Sequence, residues 1–211
     1  MRKLFILIAP VIFLSCQDHS AKPGTSDIPP TTFDSQKIKI NLPQVNHYTI
    51  PDLSPMDMVY FPSDYPLLKM SGKTTSMPLM RVIYSRPQKQ NRKIFGDLVK
   101  YNIPWRLGAN ESTEIEFFSP ATIQGKKINP GRYILYCIPQ ETKWTIVFNS
   151  NLYSWGLKQN QQKDLMQFDI PVEKNDVSIE YFTIACEKIN DKSTNVLFLW
   201  DEVKTKLPIS F

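Results

Sequence analysis

The stretch Pro104–Glu111 (PWRLGANE) gathers an indole, a guanidinium, a carboxamide and a carboxylate within one turn-rich segment. Trp105 offers a broad amphipathic ring and Arg106 a planar fork of donors. Asn110 and Glu111 add short-range hydrogen bonding, with Gly108 as a pivot. Carried on an open loop, this set suits sugars, carboxylates or a peptide. Packed inward, the same residues have a structural role: Trp105 plugs the end of a β-sandwich, and Arg106 pairs with Glu111 to hold the loop. Either way Arg86, just ahead of Pro87, is expected to converge with Trp105, Arg106, Asn110 and Glu111.

Acid pairs are the other chemistry open to this chain. Glycoside hydrolysis needs two carboxyl groups and no histidine, and Asp97, Glu111, Glu114 and Glu116 could serve. Glu114 and Glu116 share one strand face about 7 Å apart, from a rise of ~3.4 Å per residue. Glutamates at alternate strand positions also form an ordinary wet face. Histidine-dependent chemistry is excluded from the core, because the 2 histidines are His19 and His47, both near the N-terminus. That removes HExxH and Cys/His metal sites and a Ser-His-Asp triad. Ser71-Gly72-Lys73-Thr74 resembles the end of a phosphate-binding loop, but the glycine that loop requires is replaced by Leu67. No residue set calls for a metal or another cofactor.

The N-terminus has chemistry of its own. Arg2 and Lys3 precede an apolar run, Leu4–Leu14, and then Ser15 and Cys16. The run is too short to span a bilayer, which takes roughly 17–25 residues, and it has the form of a cleaved export segment. It resembles a bacterial lipoprotein signal, in which Cys16 is acylated, palmitate being the usual kind of chain, and becomes the first mature residue. Phe13 stands where such signals carry leucine. An ordinary secretory signal with an incidental cysteine is the alternative. The expectation is anchoring in the outer membrane through the lipid on Cys16, with the membrane face left open.

These readings divide the chain into a signal peptide at 1–15, a lipid anchor and tether at 16–36, an extended arm at 37–78 and a β-domain at 79–211. Polar Gln17–Gln36, with Pro23, Gly24, Pro29 and Pro30, lacks the apolar surface to order itself. Stretched out, it would reach at most ~65 Å at ~3.3 Å per residue. Prolines punctuate the arm and argue for edge strands or a segment wrapped over the core.

Composition favours β structure: aromatic residues make up 12% of the chain, and most of its 17 prolines fall between apolar runs. The net charge is +5, but basic residues alternate with acids rather than forming the stripe of a nucleic-acid binder. Strands are expected at Leu79–Ser85, Glu114–Phe118, Thr122–Gln124, Arg132–Ile138, Trp144–Asn149, Leu165–Pro171, Ile179–Ile189, Asn195–Trp200 and Leu207–Phe211. Gly125-Lys126-Lys127 and Asn129-Pro130-Gly131 read as turns. Many short strands at turn spacing indicate an all-β, jelly-roll-like sandwich. The single helical candidate is Arg92–Val99. Cys137 and Cys186 lie in strand-like runs, as two buried thiols or as a disulfide.

Several stretches together resemble a known family. Tyr84–Gly96 (YSRPQKQNRKIFG), Trp105–Glu116 (WRLGANESTEIE), Lys126–Pro139 (KKINPGRYILYCIP) and Trp144–Asn149 (WTIVFN), followed by Trp155-Gly156, are similar in order to the bacterial domain-of-unknown-function family 2911. The resemblance covers Leu79–Phe211 and, through Val59–Gly72, much of the arm. It implies an exported, often lipid-anchored β-domain and carries no activity with it. The family's motifs map onto Arg86, Pro87, Trp105, Arg106, Gly108, Ala109, Asn110 and Glu111, with Leu107 where threonine is expected. The chain is therefore expected to be a non-catalytic binding or accessory module for an outer-membrane protein or an envelope glycan. The alternatives are a saccharide hydrolase or lyase using Glu111 or a neighbouring acid, and a purely structural subunit.

Overall fold

The computed structural model describes residues 52–211. The signal peptide, Cys16, the tether, both histidines and the first part of the arm lie outside them.

Among the described residues, nine antiparallel strands form one continuous sheet that folds over on itself. In chain order they are β1 (Met56–Phe61), β2 (Met80–Ser85), β3 (Thr113–Phe117), β4 (Ala121–Ile123), β5 (Lys126–Ile128), β6 (Gly131–Pro139), β7 (Lys143–Asn149), β8 (Asp164–Asn190) and β9 (Ser193–Ser210). Their spatial order is β1-β2-β3-β6-β7-β8-β9-β4-β5. The fold is all-β. The one α-helix among the described residues, α1 (Tyr65–Met70), buries no residue.

Strand β8 makes two layers from one sheet. Asp164–Pro171 pairs with β7, whereas Val172–Asn190 pairs with β9. Aromatic side chains then meet across the layers: Trp144 of β7 lies 6.5 Å from Phe198 of β9, centroid to centroid. The chain beyond β2 closes one side, where Phe182 N–H donates to the Pro87 carbonyl at 2.9 Å and Lys89 N–H to that of Glu180 at 2.7 Å.

Local patterning explains most strands. In β3, Ile115 and Phe117 face the core while Glu114 and Glu116 face outward. β6 lies between β3 and β7, and Ile134, Leu135, Tyr136 and Cys137 are all buried, as a strand apolar on both faces requires. Strand β9 changes phase midway: Thr194, Val196, Phe198 and Trp200 are buried, and then Thr205, Leu207 and Ile209. Asp201, with φ 53°, sits at the change, where the β8–β9 register shifts. The irregularity acts as a bulge and returns the apolar set to the core.

Three expectations are corrected. Arg92–Val99 is not helical but a run of turns tied by a Phe95–Val99 bridge, with Gly96 at φ 86°. Lys126 and Lys127 belong to β5. The hairpin turn is Gln124-Gly125 alone, with both φ positive (46° and 77°), the two-residue form that suits strand twist. Finally, Leu165–Pro171 and Ile179–Ile189 belong to one strand, and Asn195–Trp200 shares one with the expected Leu207–Phe211 run, which ends at Ser210.

Candidate functional site

Trp105 is held by backbone and ring together. Its N–H donates to the Cys137 carbonyl at 2.7 Å, and Cys137 N–H returns the bond at 2.8 Å. This pins the loop to the end of β6. The indole stacks on Trp200 at 5.7 Å and meets Phe182 and Trp144 edge-on at 5.0 and 5.8 Å. Its Nε1–H donates to the Gly108 carbonyl at 3.1 Å. Leu107 is fully buried at φ 56°, and its carbonyl accepts from the Thr113 hydroxyl at 2.6 Å. The segment is thus a folded loop docked on the aromatic core.

The structure distributes the remaining cluster residues among different tasks. Arg86 ties three segments, donating to Asp57 at 3.1 Å, to the Thr183 hydroxyl at 3.2 Å and to the Phe182 carbonyl at 3.4 Å. Asn110 donates to the Asp52 carboxylate at 2.7 Å and to the Ser54 carbonyl at 3.2 Å. Arg106 donates to the Trp155 carbonyl at 3.4 Å. The Arg106–Glu111 pair offered by the sequence is not formed. The left-handed turn at Asn110 (φ 57°) reverses the chain between them, and the two side chains line different clefts.

Those two clefts flank the segment Ser154–Leu157. The first, about 370 Å³, has Trp105, Val99 and Leu157 in its walls, with Arg92 and Arg106 as its only charged lining residues among the described ones. The second, about 290 Å³, is lined by Glu111, Glu114, Ser112, Ser154, Tyr153 and Trp155, among others. Gly156 separates them. A Cβ there would meet Ser112 Oγ at 2.5 Å and Arg106 Cβ at 3.0 Å, so the φ of 76° and the close approach both require glycine. Tyr153, at φ 61°, is 85% exposed, and Trp155 is 55% exposed.

Three of the four acids weighed for catalysis are ion-paired. Arg81 on β2 meets Glu116 at 2.7 Å, Arg132 on β6 meets Glu114 at 3.5 Å, and Lys100 meets Asp97 at 3.5 Å. Glu111 is in no ion pair among the described residues. Burial lowers Arg106 from the ordinary guanidinium range. Both thiols are free: Cys137 is buried on β6 and Cys186 lies on the β9-paired half of β8, so no bridge joins the layers. Burial pushes Cys137 well up and Cys186 up to about 12, which leaves both unreactive near neutrality.

The model of the family described as protein of unknown function (DUF2911) matches residues 68–209. The chain belongs to this family. No curated protein and no solved structure matches it. In this DUF2911 domain the match includes β2 to β8, β9 up to Ile209, the docked loop and all the lining residues of both clefts except Ser54 and Met56.

Sequence reasoning singled out Trp105, Arg106 and Glu111 but overlooked what completes each cleft in the DUF2911 domain. Arg92 lies in the stretch expected to be helical, and Leu157 and Trp155 are not among the expected site residues. An exposed tryptophan beside a glycine, close after Tyr153, was the available signal. The partners of Arg86, Asp57 and Thr183, left no local signal because they lie far away along the chain.

Proposed function

We propose that this DUF2911 protein is a lipid-anchored envelope protein, held in the outer membrane through Cys16, whose β-domain is a non-catalytic binding module for an envelope glycan. The observation that carries the proposal is the exposure of Tyr153 and Trp155 beside a cleft lined by Glu111, Ser112 and Ser154. Aromatic faces stack on sugar rings while short polar side chains bond their hydroxyls. Tyr153 sits in a strained backbone conformation, a feature that clusters at ligand sites. Glu114 and Glu116 favour binding over catalysis because each is engaged by an arginine.

The test is retention of the full chain on insoluble envelope polysaccharide. Wild type should be retained, and Trp155→Ala should lose about tenfold in affinity with an unchanged melting temperature, in line with ~1–3 kcal/mol for an aromatic ring stacked on a ligand. Equal retention of both would overturn the reading. For the anchor, Cys16→Ala should leave the membrane fraction; normal processing and membrane retention would remove lipidation from the account. A second reading, saccharide hydrolysis, is favoured by Glu111 and Glu114 lining one cleft. It requires release of new reducing ends that stops in Glu111→Gln.

A further inference from the structure

The cleft on the other side of Gly156 has a different chemistry. Trp105, Leu98, Val99 and Leu157 supply apolar walls, and Arg92 and Arg106 are its only charged lining residues among the described ones. No carboxylate lines it among the described residues. Arg92 is fixed by donating its Nε–H to the Lys89 carbonyl at 3.0 Å and an Nη–H to that of Gln88, both neutral partners. Among the described residues Arg106 has one neutral partner, the Trp155 carbonyl at 3.4 Å, which leaves most of its donor fork unused there. Elsewhere in the domain Arg81, Arg86 and Arg132 each face a carboxylate. A half-buried guanidinium without a counter-charge is costly unless an anion completes it.

We propose that this cleft binds an organic carboxylate with an apolar body, its carboxylate taken by Arg106 at the Gly156 ridge and its apolar part lying against Trp105, Leu98 and Leu157. Arg92 adds a second positive charge at the mouth. A guanidinium fork matches a carboxylate in plane and spacing, and a cleft of about 370 Å³ has the size of a small-molecule site. The inference rests on reading the domain as a binding module and assigns it a second ligand class, distinct from the glycan cleft.

Calorimetric titration of the full chain with 4-phenylbutyrate and its neutral amide tests this directly. The carboxylate should bind about tenfold more tightly than the amide, since hydrogen bonds to charged groups are worth ~1.5–3 kcal/mol. That preference should shrink between low and high salt. Arg106→Gln should abolish the preference and leave amide binding in place, and Arg106→Lys should restore part of it. Equal binding of the two probes by wild type, or binding of neither, would overturn the proposal without any variant. So would a preference that survives in Arg106→Gln. Loss of glycan retention in Trp155→Ala with the carboxylate preference intact would separate this site from the other cleft, and glycan retention by a wild type that shows no carboxylate preference would sink this inference alone.

Discussion

The indole of Trp105 stacks on that of Trp200 with centroids 5.7 Å apart and planes 20° from parallel, joining a loop between β2 and β3 to the middle of β9. The loop that presents Arg106 is therefore positioned by the core. Its rigidity comes from the same aromatic cluster that holds the two layers together. Trp105→Ala should cost about 3 kcal/mol or more. The melting temperature should fall by ~6 °C or more, at roughly 2–4 °C per kcal/mol for a domain of this size. An unchanged melting curve would show that the stack contributes nothing.

Arg86 is expected to act in stability rather than recognition. Its three acceptors lie on β1 and β8, so Arg86→Ala releases the closure between the layers. The ion pair with Asp57 is partly exposed and adds little by itself. The combined loss should be about 1–2 kcal/mol in urea unfolding. Arg86→Lys should recover less than half, because an ammonium cannot span all three acceptors. Full recovery by lysine would mean that charge alone matters.

Gly156 and Gly125 form a matched pair for separating backbone strain from steric conflict. Both have φ near 76–77°, but a Cβ at Gly125 meets nothing within 4 Å, while one at Gly156 meets Ser112 and Arg106. Gly125→Ala should cost about 1 kcal/mol from backbone strain alone. Gly156→Ala should cost more, roughly 2–3 kcal/mol, and should weaken binding in both clefts. Equal losses in chemical denaturation would show that the Ser154–Leu157 segment yields freely.

The thiols give a pH dependence with a definite sign. Cys137 and Cys186 both have raised folded-state values, Cys186 about 12, against an unfolded value of ~8.5. The folded state therefore holds its thiol protons more tightly. Their stabilising effect is complete below pH ~8.5 and is lost as pH rises toward the folded values. The urea midpoint should fall between pH 8 and pH 10.5, and less so in a Cys137→Ala, Cys186→Ala double variant. Native alkylation at pH 8 should be negligible at both positions. Rapid labelling of either thiol would show it to be accessible.

Much of the strand content was legible in the chain because it rests on local periodicity. Alternation in Thr113–Phe117 and apolar character on both faces of Arg132–Ile138 identify a strand with one wet face and a strand buried between two layers before any contact is known. The docked loop was legible as a cluster of residue types. Its partners were not, since Trp105 meets Trp200 and Arg86 meets Asp57 and Thr183 only through tertiary folding.

By itself the sequence determined the all-β class, most strand positions, the family, and the absence of histidine from residues 52–211. Tertiary structure decided that Val172–Asp176, polar enough to read as a loop, continues β8, because β9 supplies the ladder partners Thr205, Lys204 and Val203. It also decided that Arg106 and Glu111, close in sequence, open into separate clefts. Side-chain alternation is written residue by residue, whereas pairing and the sense of a left-handed turn depend on segments that meet only once the sheet has folded over.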